Sequence, residues 1–308
     1  MPEYPDIVVY LEALEKRIMN QVLKLVQISS PFLLRTAVPP LSSINGRKVV
    51  QLQRLGKRIC IGFEDDYWIV LHLMIAGRLH WKESSNTPKA PSPKSGLSKT
   101  RLATFQFQNG TLTLTEAGTQ KRAALHVFAG QDELKTLDPG GLELFTPSRS
   151  GFVDMKTFAT RLQLANHTLK RALTDPRLFS GIGNAYSDEI LFAARLSPIK
   201  QTQKLADEEI QRLYEATLDT LLQWAQRLRE ETGEKFPEKV TAFREGMAVH
   251  GRYKLPCPRC GSKVQRIRYA TNETNYCPVC QTEGKLLADR ALSRILRSDW
   301  PRTAEELG

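Results

Sequence analysis

The chain begins Met1-Pro2-Glu3, and a proline in second place permits removal of the initiator methionine. Pro2 would then carry a secondary α-amine, which titrates at about 8 and is partly neutral at pH 7. Attack by such an amine on a sugar aldehyde carbon gives a cationic iminium directly, an electron sink that eases β-elimination. Glu3, next in the chain, could protonate the ring oxygen and shuttle protons. A flexible chain start would carry the same residues. A second chemical group lies far downstream, in the pairs Cys257-Pro-Arg-Cys260 and Cys277-Pro-Val-Cys280, separated by sixteen residues. That span suits a two-stranded hairpin that brings two thiolate turns around one tetrahedral ion, and Gly261 permits the tight turn of the first knuckle. Two disulfides would use the same four residues; the paired spacing favours one structural Zn²⁺.

A third group is the run Gly181-Ile-Gly183-Asn184, which follows Lys170 and Arg171 and opens a new helical pattern with Asn184 near its N-cap. Glycines with an asparagine at a helix start expose backbone N–H groups, a natural phosphate site. The arrangement resembles the helix–two-turn–helix that grips a DNA backbone, although a plain interhelix turn would read alike.

These groups need elements to position them. Segment 6–19 spaces Ile7, Tyr10, Leu11, Leu14 and Ile18 as an amphipathic helix. From Gln21 to Val127 the pattern becomes short β runs, among them Arg58–Phe63, Tyr67–Leu73, Ala103–Gln108 and Thr111–Thr115, the last two joined by the hairpin signal Asn109-Gly110. Ser84–Lys99, rich in Pro, Ser and Lys, reads as a mobile inserted loop. A boundary falls near Asp138-Pro139-Gly140-Gly141. Beyond it, 154–173, 184–196 and 207–232 carry helical spacing, and the acidic start Asp207-Glu208-Glu209 suits a helix dipole. The zinc module begins near Met247, and a last helix is expected over Lys285–Arg297. His72, His80, His126, His167 and His250 show no metal spacing, and Cys60 reads as a small buried hydrophobe.

The 308 residues are 41 % apolar, enough for real cores, and no apolar run reaches membrane-span length. The start has no basic-then-apolar leader pattern, and the cysteine usage fits a reducing compartment, so a soluble intracellular protein is expected. A formal net charge of +11 points to a polyanionic partner, nucleic acid first.

Taken together and in this order, the Pro-Glu start, the Gly-x-Gly-Asn turn and the four-cysteine hairpin resemble the formamidopyrimidine-DNA glycosylase/endonuclease VIII family. Leu55-Gly56-Lys57-Arg58, His72-Leu73-Met74-Ile75-Ala76-Gly77 and Val249-His250-Gly251-Arg252 support the resemblance, which runs to Gln281. It implies an α+β, bilobal fold: an N-terminal β-sandwich with flanking helices (1–140), a helical lobe with the helix–two-turn–helix (141–246), a four-cysteine zinc β-hairpin (247–281) and an extension (282–308). It also implies a monomeric, cytoplasmic, nucleoid-associated bifunctional DNA glycosylase/AP lyase of base-excision repair, acting on extruded nucleotides of damaged or abasic double-stranded DNA. The roles carried over are Pro2 as Schiff-base nucleophile, Glu3 as acid/base and Lys57 as a phosphate and sugar-chemistry lysine. Asn184 with Gly183 and Lys170 would hold phosphate, and Cys257, Cys260, Cys277 and Cys280 would hold zinc.

Several positions depart from the family pattern. Tyr4 and Asp6 stand where Leu or Gly and Glu are usual, which suggests a bulky ring beside the lesion. The residues that fill the hole left by an extruded base fall at Ile75 (with Met74 adjacent), Lys121 and Ala123, a reduced wedge that weakens the case for oxidised guanine opposite cytosine. The finger arginine expected on phosphate falls at Asn272, with Arg266 and Arg268 on one face of the preceding strand. A non-catalytic damaged-DNA-binding protein, or an AP lyase of altered lesion choice, are the alternatives.

Overall fold

The computed structural model describes residues 1–84, 100–118, 120–145, 151–238, 240, 243–269, 272–288 and 302–303. The chain forms two compact units, Met1–Asp138 with Ala225–Thr241, and Pro139–Trp224 with Ala242–Gly308. The loop expected over Ser84–Lys99 lies almost wholly outside the described residues, as does most of the helix expected over Lys285–Arg297.

In the first unit, helix α1 (Tyr4–Ile18) starts two residues earlier than its apolar spacing suggested, because Pro5 fits a first helical turn. Eight strands follow: β1 (Leu23–Ile28), β2 (Val49–Leu55), β3 (Arg58–Phe63), β4 (Tyr67–His72), β5 (Gly77–Glu83), β6 (Arg101–Phe107), β7 (Gly110–Glu116) and β8 (Ala124–Ala129). They pair as two antiparallel four-stranded sheets, β1-β6-β7-β5 and β2-β3-β4-β8. One apolar core joins the inner faces, with Leu23, Ile59, Ile69, Phe105, Leu112 and Val127 among its buried members, and α1 adds Ile7, Tyr10 and Leu14. This is a β-sandwich with a flanking helix. Strands β3 and β4 are buried on both faces. Cys60, Trp68 and Val70 point to a second small core closed by Leu134, so those strands read as continuous apolar runs. Burial pushes the Cys60 thiol up to about 12. Gln108-Asn109 forms the β6–β7 connection and Gly110 opens β7, one residue earlier than the hairpin signal suggested; a side chain at Gly110 would collide with Trp81. Phe236 and Val240, late in the chain, complete this core.

The second unit is helical with a hairpin. Segment 154–173, read as one helix, is two: α2 (Met155–Leu162) and α3 (Leu169–Thr174). The break has a tertiary cause. Fully buried Thr202 donates its hydroxyl to Ala165 O (2.7 Å) and its amide to His167 O (2.8 Å), taking carbonyls that a continuous helix would use. Helix α4 (Asn184–Ala193) and helix α5 (Asp207–Thr232, its residues from Ala225 on counted with the first unit) follow, then the hairpin β9 (Gln265–Tyr269) and β10 (Asn272–Tyr276) and the short helix α6 (Pro278–Thr282). Beyond α6 the described part of the extension is extended rather than helical: Lys285 bridges Thr303, and the Leu287 amide donates to the Tyr276 hydroxyl at 2.8 Å.

Candidate functional site

In the first unit the groups able to do chemistry gather around the amino terminus. Pro2 and Glu3 are both buried, Glu3 with 2 % of its surface exposed. Glu3 occupies the N-cap of α1, and its amide donates to Asp6 Oδ2 at 2.8 Å, the reciprocal half of a capping box. Asp6, a departure from the family pattern, therefore fixes the backbone of the acid/base candidate. The α-amine, which belongs to Met1 in the structure, is held below its ordinary value mainly by burial; Arg78 and Lys57 lower it further, while Glu3 and Asp6 oppose them.

Lys57 reaches this region on a tight turn and Arg78 from the start of β5. Leu55 pairs with Arg58 across β2–β3, so Gly56 and Lys57 form a two-residue hairpin loop in which Gly56 supplies φ 61°. The Arg54 guanidinium donates to Gly56 O at 2.7 Å and lies 4.9 Å from the Tyr4 ring centroid. The Tyr4 ring, expected beside the lesion, is buried beneath that guanidinium. Arg78 donates to Ile75 O (3.1 Å) and Gly77 O (2.7 Å), bracing the β4–β5 loop. A Cβ at Gly77 would sit 2.2 Å from Leu73 O, so only glycine allows this closure. The loop turns through Met74 at φ 52° and leaves Ile75 62 % exposed.

The other two wedge positions are occupied differently. The Lys121 ammonium donates to Glu116 O, and Ala123 is buried. The buried Glu116 carboxylate gathers that loop by accepting the amides of Arg122 and Ala123 at 2.9–3.1 Å. Arg58, beside Lys57, also acts on His72: burial first, then Arg58, Lys57 and His126, depress that imidazole to about 4. Residue spacing alone does not single out His72.

In the second unit Asn184 is the first residue of α4, with Gly183 at the N-cap position. Its side-chain amide donates to Glu273 O on β10 at 2.9 Å. Lys170, expected beside phosphate, directs its ammonium to Asn184 O (2.7 Å) and to the buried Asp188 carboxylate. Asp188 Oδ2 also accepts from His250 Nδ1 (2.8 Å) and the Asn275 amide (3.2 Å). Its neighbour Glu189 accepts the amides of Ala248, Val249 and His250 at 2.7–2.9 Å, and burial raises its carboxyl while those amides oppose the rise. Asp188, Glu189 and His250 are the residues sequence reasoning missed here. The available signal was two successive carboxylates within a helix otherwise spaced for burial.

On the hairpin, Arg266 pairs with Glu273 at 3.0 Å and stacks 4.1 Å over the Tyr253 ring. Arg268 lies 3.7 Å from the same carboxylate and is 65 % exposed, while Asn272 is exposed at the end of β10.

The four cysteine sulfurs lie within 4.8 Å of one another, with Cys257–Cys280 at 3.9 Å and Cys260–Cys277 at 3.4 Å. Tetrahedral Zn–S bonds require sulfur separations of roughly 3.8 Å, so the thiols fit one zinc ion. Gly261 at φ 79° closes one knuckle, and Cys277 caps α6 to form the other. No disulfide forms among the described residues.

These features define a zinc-containing protein of two units whose amino-terminal end carries a buried acid and a guarded amine. Three family models match in chain order: the formamidopyrimidine-DNA glycosylase N-terminal domain over residues 1–121, its H2TH domain over 146–234, and a zinc finger found in FPG and IleRS over 254–282. A Mycobacterium tuberculosis protein described as an uncharacterized formamidopyrimidine-DNA glycosylase-like protein is 37 % identical over 172 residues, 55 % of this chain and 100 % of that relative. The formamidopyrimidine-DNA glycosylase of Thermus thermophilus is 29 % identical over 292 residues, covering 92 % and 100 %. A solved structure of the Lactococcus lactis enzyme with abasic-site DNA superposes with TM-score 0.76 at 25 % identity, covering 91 % of this chain and 99 % of that one. The chain belongs to the formamidopyrimidine-DNA glycosylase/endonuclease VIII family and is a DNA glycosylase of base-excision repair with one structural zinc.

Proposed function

We propose that the chain is a bifunctional DNA glycosylase/AP lyase that works through Pro2. The burial of Pro2 beside Glu3 carries this reading, because burial first, with Arg78 and Lys57, lowers the terminal amine and favours its neutral, nucleophilic form against the pull of Glu3 and Asp6. The Pro2 nitrogen attacks C1′ of an extruded damaged nucleotide, and the glycosidic bond breaks with its electron pair leaving on the base. Glu3 protonates the ring oxygen as the sugar opens and the nitrogen sheds its proton, giving an iminium. Loss of a C2′ proton then expels the 3′ phosphate by β-elimination, and water releases the sugar remnant and regenerates the amine. Lys57 serves phosphate beside the reacting sugar. Asn184, Gly183 and Lys170 support the backbone grip, as do Arg268 and Asn272 at the hairpin, with Arg266 positioned by Glu273.

Solved relatives from Lactococcus lactis hold DNA with an abasic site, with Fapy-dG and with an oxidized pyrimidine, and we extend that substrate class to this chain. Borohydride trapping on an abasic-site duplex tests the reading. The wild type, once its N-terminal methionine is removed, should form a covalent complex and Pro2→Gly none; equal trapping by Pro2→Gly would overturn it. A second reading concerns the lesion. Of the three expected wedge positions, Ala123 is buried and Lys121 is bound to Glu116 O, which leaves the Met74–Ile75 loop. That favours lesions other than 8-oxoguanine opposite cytosine, and efficient excision of that pair in a lesion panel would refute it.

A further inference from the structure

We propose that Arg54 and Tyr4 are positioning residues that lock the Lys57 turn to the amino-terminal helix, so that the lysine is held ready beside the nucleophilic end of the chain. Their role presupposes the amino-terminal chemistry proposed above and is exerted through the Lys57 turn.

Three observations build the link. Tyr4 is the first residue of α1, directly after Glu3, and its ring is buried. The half-buried guanidinium of Arg54, on β2, lies 4.9 Å from the centroid of that ring, a cation–π distance. The same guanidinium donates through Nη1 to Gly56 O at 2.7 Å, one peptide before Lys57. Gly56 has φ 61°, in a loop whose two residues are all that joins β2 to β3. A glycine at such a point offers the turn little conformational restraint of its own, and an external hydrogen bond to its carbonyl supplies it. Arginine suits this double contact, because its planar fork can stack by one face and donate from its edge at the same time, which a lysine ammonium cannot do. The charge of Lys57 is one of those that act on the terminal amine, so a turn that drifts outward would remove part of that influence.

The test uses the full-length zinc-loaded protein and an abasic-site duplex. Single-turnover borohydride trapping is compared for the wild type, Arg54→Ala, Arg54→Lys, Tyr4→Leu and Tyr4→Phe, alongside affinity for an uncleavable tetrahydrofuran duplex. Arg54→Ala and Tyr4→Leu should slow trapping about tenfold, as expected when a reacting group is displaced by a fraction of an ångström. Affinity for the tetrahydrofuran duplex should fall less than the trapping rate, since Lys57 is one of several phosphate contacts that set it. The acid limb of the pH–rate profile should move upward, because a lysine charge that lowers the amine has receded. Tyr4→Phe, which keeps the aromatic face, should restore the wild-type rate; Arg54→Lys should not.

Trapping rates within twofold of wild type in both Arg54→Ala and Tyr4→Leu would overturn the proposal. So would a slowed rate with an unmoved pH profile, or a Tyr4→Phe rate as low as that of Tyr4→Leu. If Arg54→Ala fails to fold by thermal melting, the Tyr4→Leu and Tyr4→Phe pair decides alone. Failure of the underlying chemistry looks different: the wild type itself would then not trap, or Pro2→Gly would trap equally.

Discussion

The two units place charge in opposite ways. Around the amino terminus the first unit gathers Glu3 and Asp6 at a helix start, Lys57 on a tight turn and Arg78 on β5, and burial first, then these charges, perturb the amine. In the second unit Asp188 and Glu189 sink into α4 and are almost fully satisfied by Lys170, His250, Asn275 and three backbone amides. One arrangement leaves reactivity unspent; the other consumes charge to fix backbone. A buried carboxylate with nearly all its acceptor sites used makes a joint, whereas a buried amine among mixed charges is what the proposed chemistry requires.

This contrast has measurable consequences. The largest effect is expected from the metal. Chelation of zinc, or Cys277→Ser, should strip amide protection from residues 248–282, because structural zinc in small fingers contributes about 10–16 kcal/mol of folding free energy. Hydrogen exchange should show β3 and β4 still protected; loss in both units together would erase the contrast. Next comes Asp188→Ala, which strands the Lys170 ammonium and His250 Nδ1 and should cost about 3–5 kcal/mol in denaturant unfolding. Asp188→Asn should cost less, and a cost below about 1 kcal/mol for alanine would mean the joint is not one.

A smaller effect concerns acid. His72 is depressed to about 4 in the fold, against an ordinary value of about 6.5. Between those values the unfolded chain binds a proton that the native ring refuses, so stability is full above about 6.5 and falls as pH drops toward 4. His72→Gln should flatten that part of the stability–pH curve, and an unchanged curve would remove His72 from the account. The smallest is Asp6→Ala, which deletes the acceptor for the Glu3 amide and should lower stability by about 1–2 kcal/mol. Its effect on trapping should exceed its effect on tetrahydrofuran-duplex affinity, as befits a residue of the reactive end.

Much of this was legible in the sequence because the physics was local. Paired cysteines at hairpin spacing, Asn109-Gly110 between alternating runs and the acidic start of α5 each express their structure within a few residues. The doubly covered strands β3 and β4 were legible as unbroken apolar runs. What escaped depended on distant partners. The break between α2 and α3 is imposed by Thr202, some thirty-five residues away, while the helical spacing runs on through it. His250 looked ordinary because its partner, Asp188, is a helix residue sixty-two positions earlier. Tyr4 was visible as a departure, but its place beneath Arg54 required the β2–β3 turn.

The first unit is discontinuous: Ala225–Thr241 belongs to it, although residues 139–224 of the other unit come between. During synthesis, then, the sandwich must wait. Residues 1–138 emerge with α1 still lacking Phe236, whose ring lies 5.8 Å from that of Tyr10, and Glu12 still lacking its bidentate partner Arg229. A fragment ending at Asp138 should accordingly expose apolar surface on α1, bind a hydrophobic dye and aggregate, and adding 225–241 as a separate peptide should suppress both. On the ribosome α1 would be made about two hundred residues before Phe236 and Val240, which complete the core it joins.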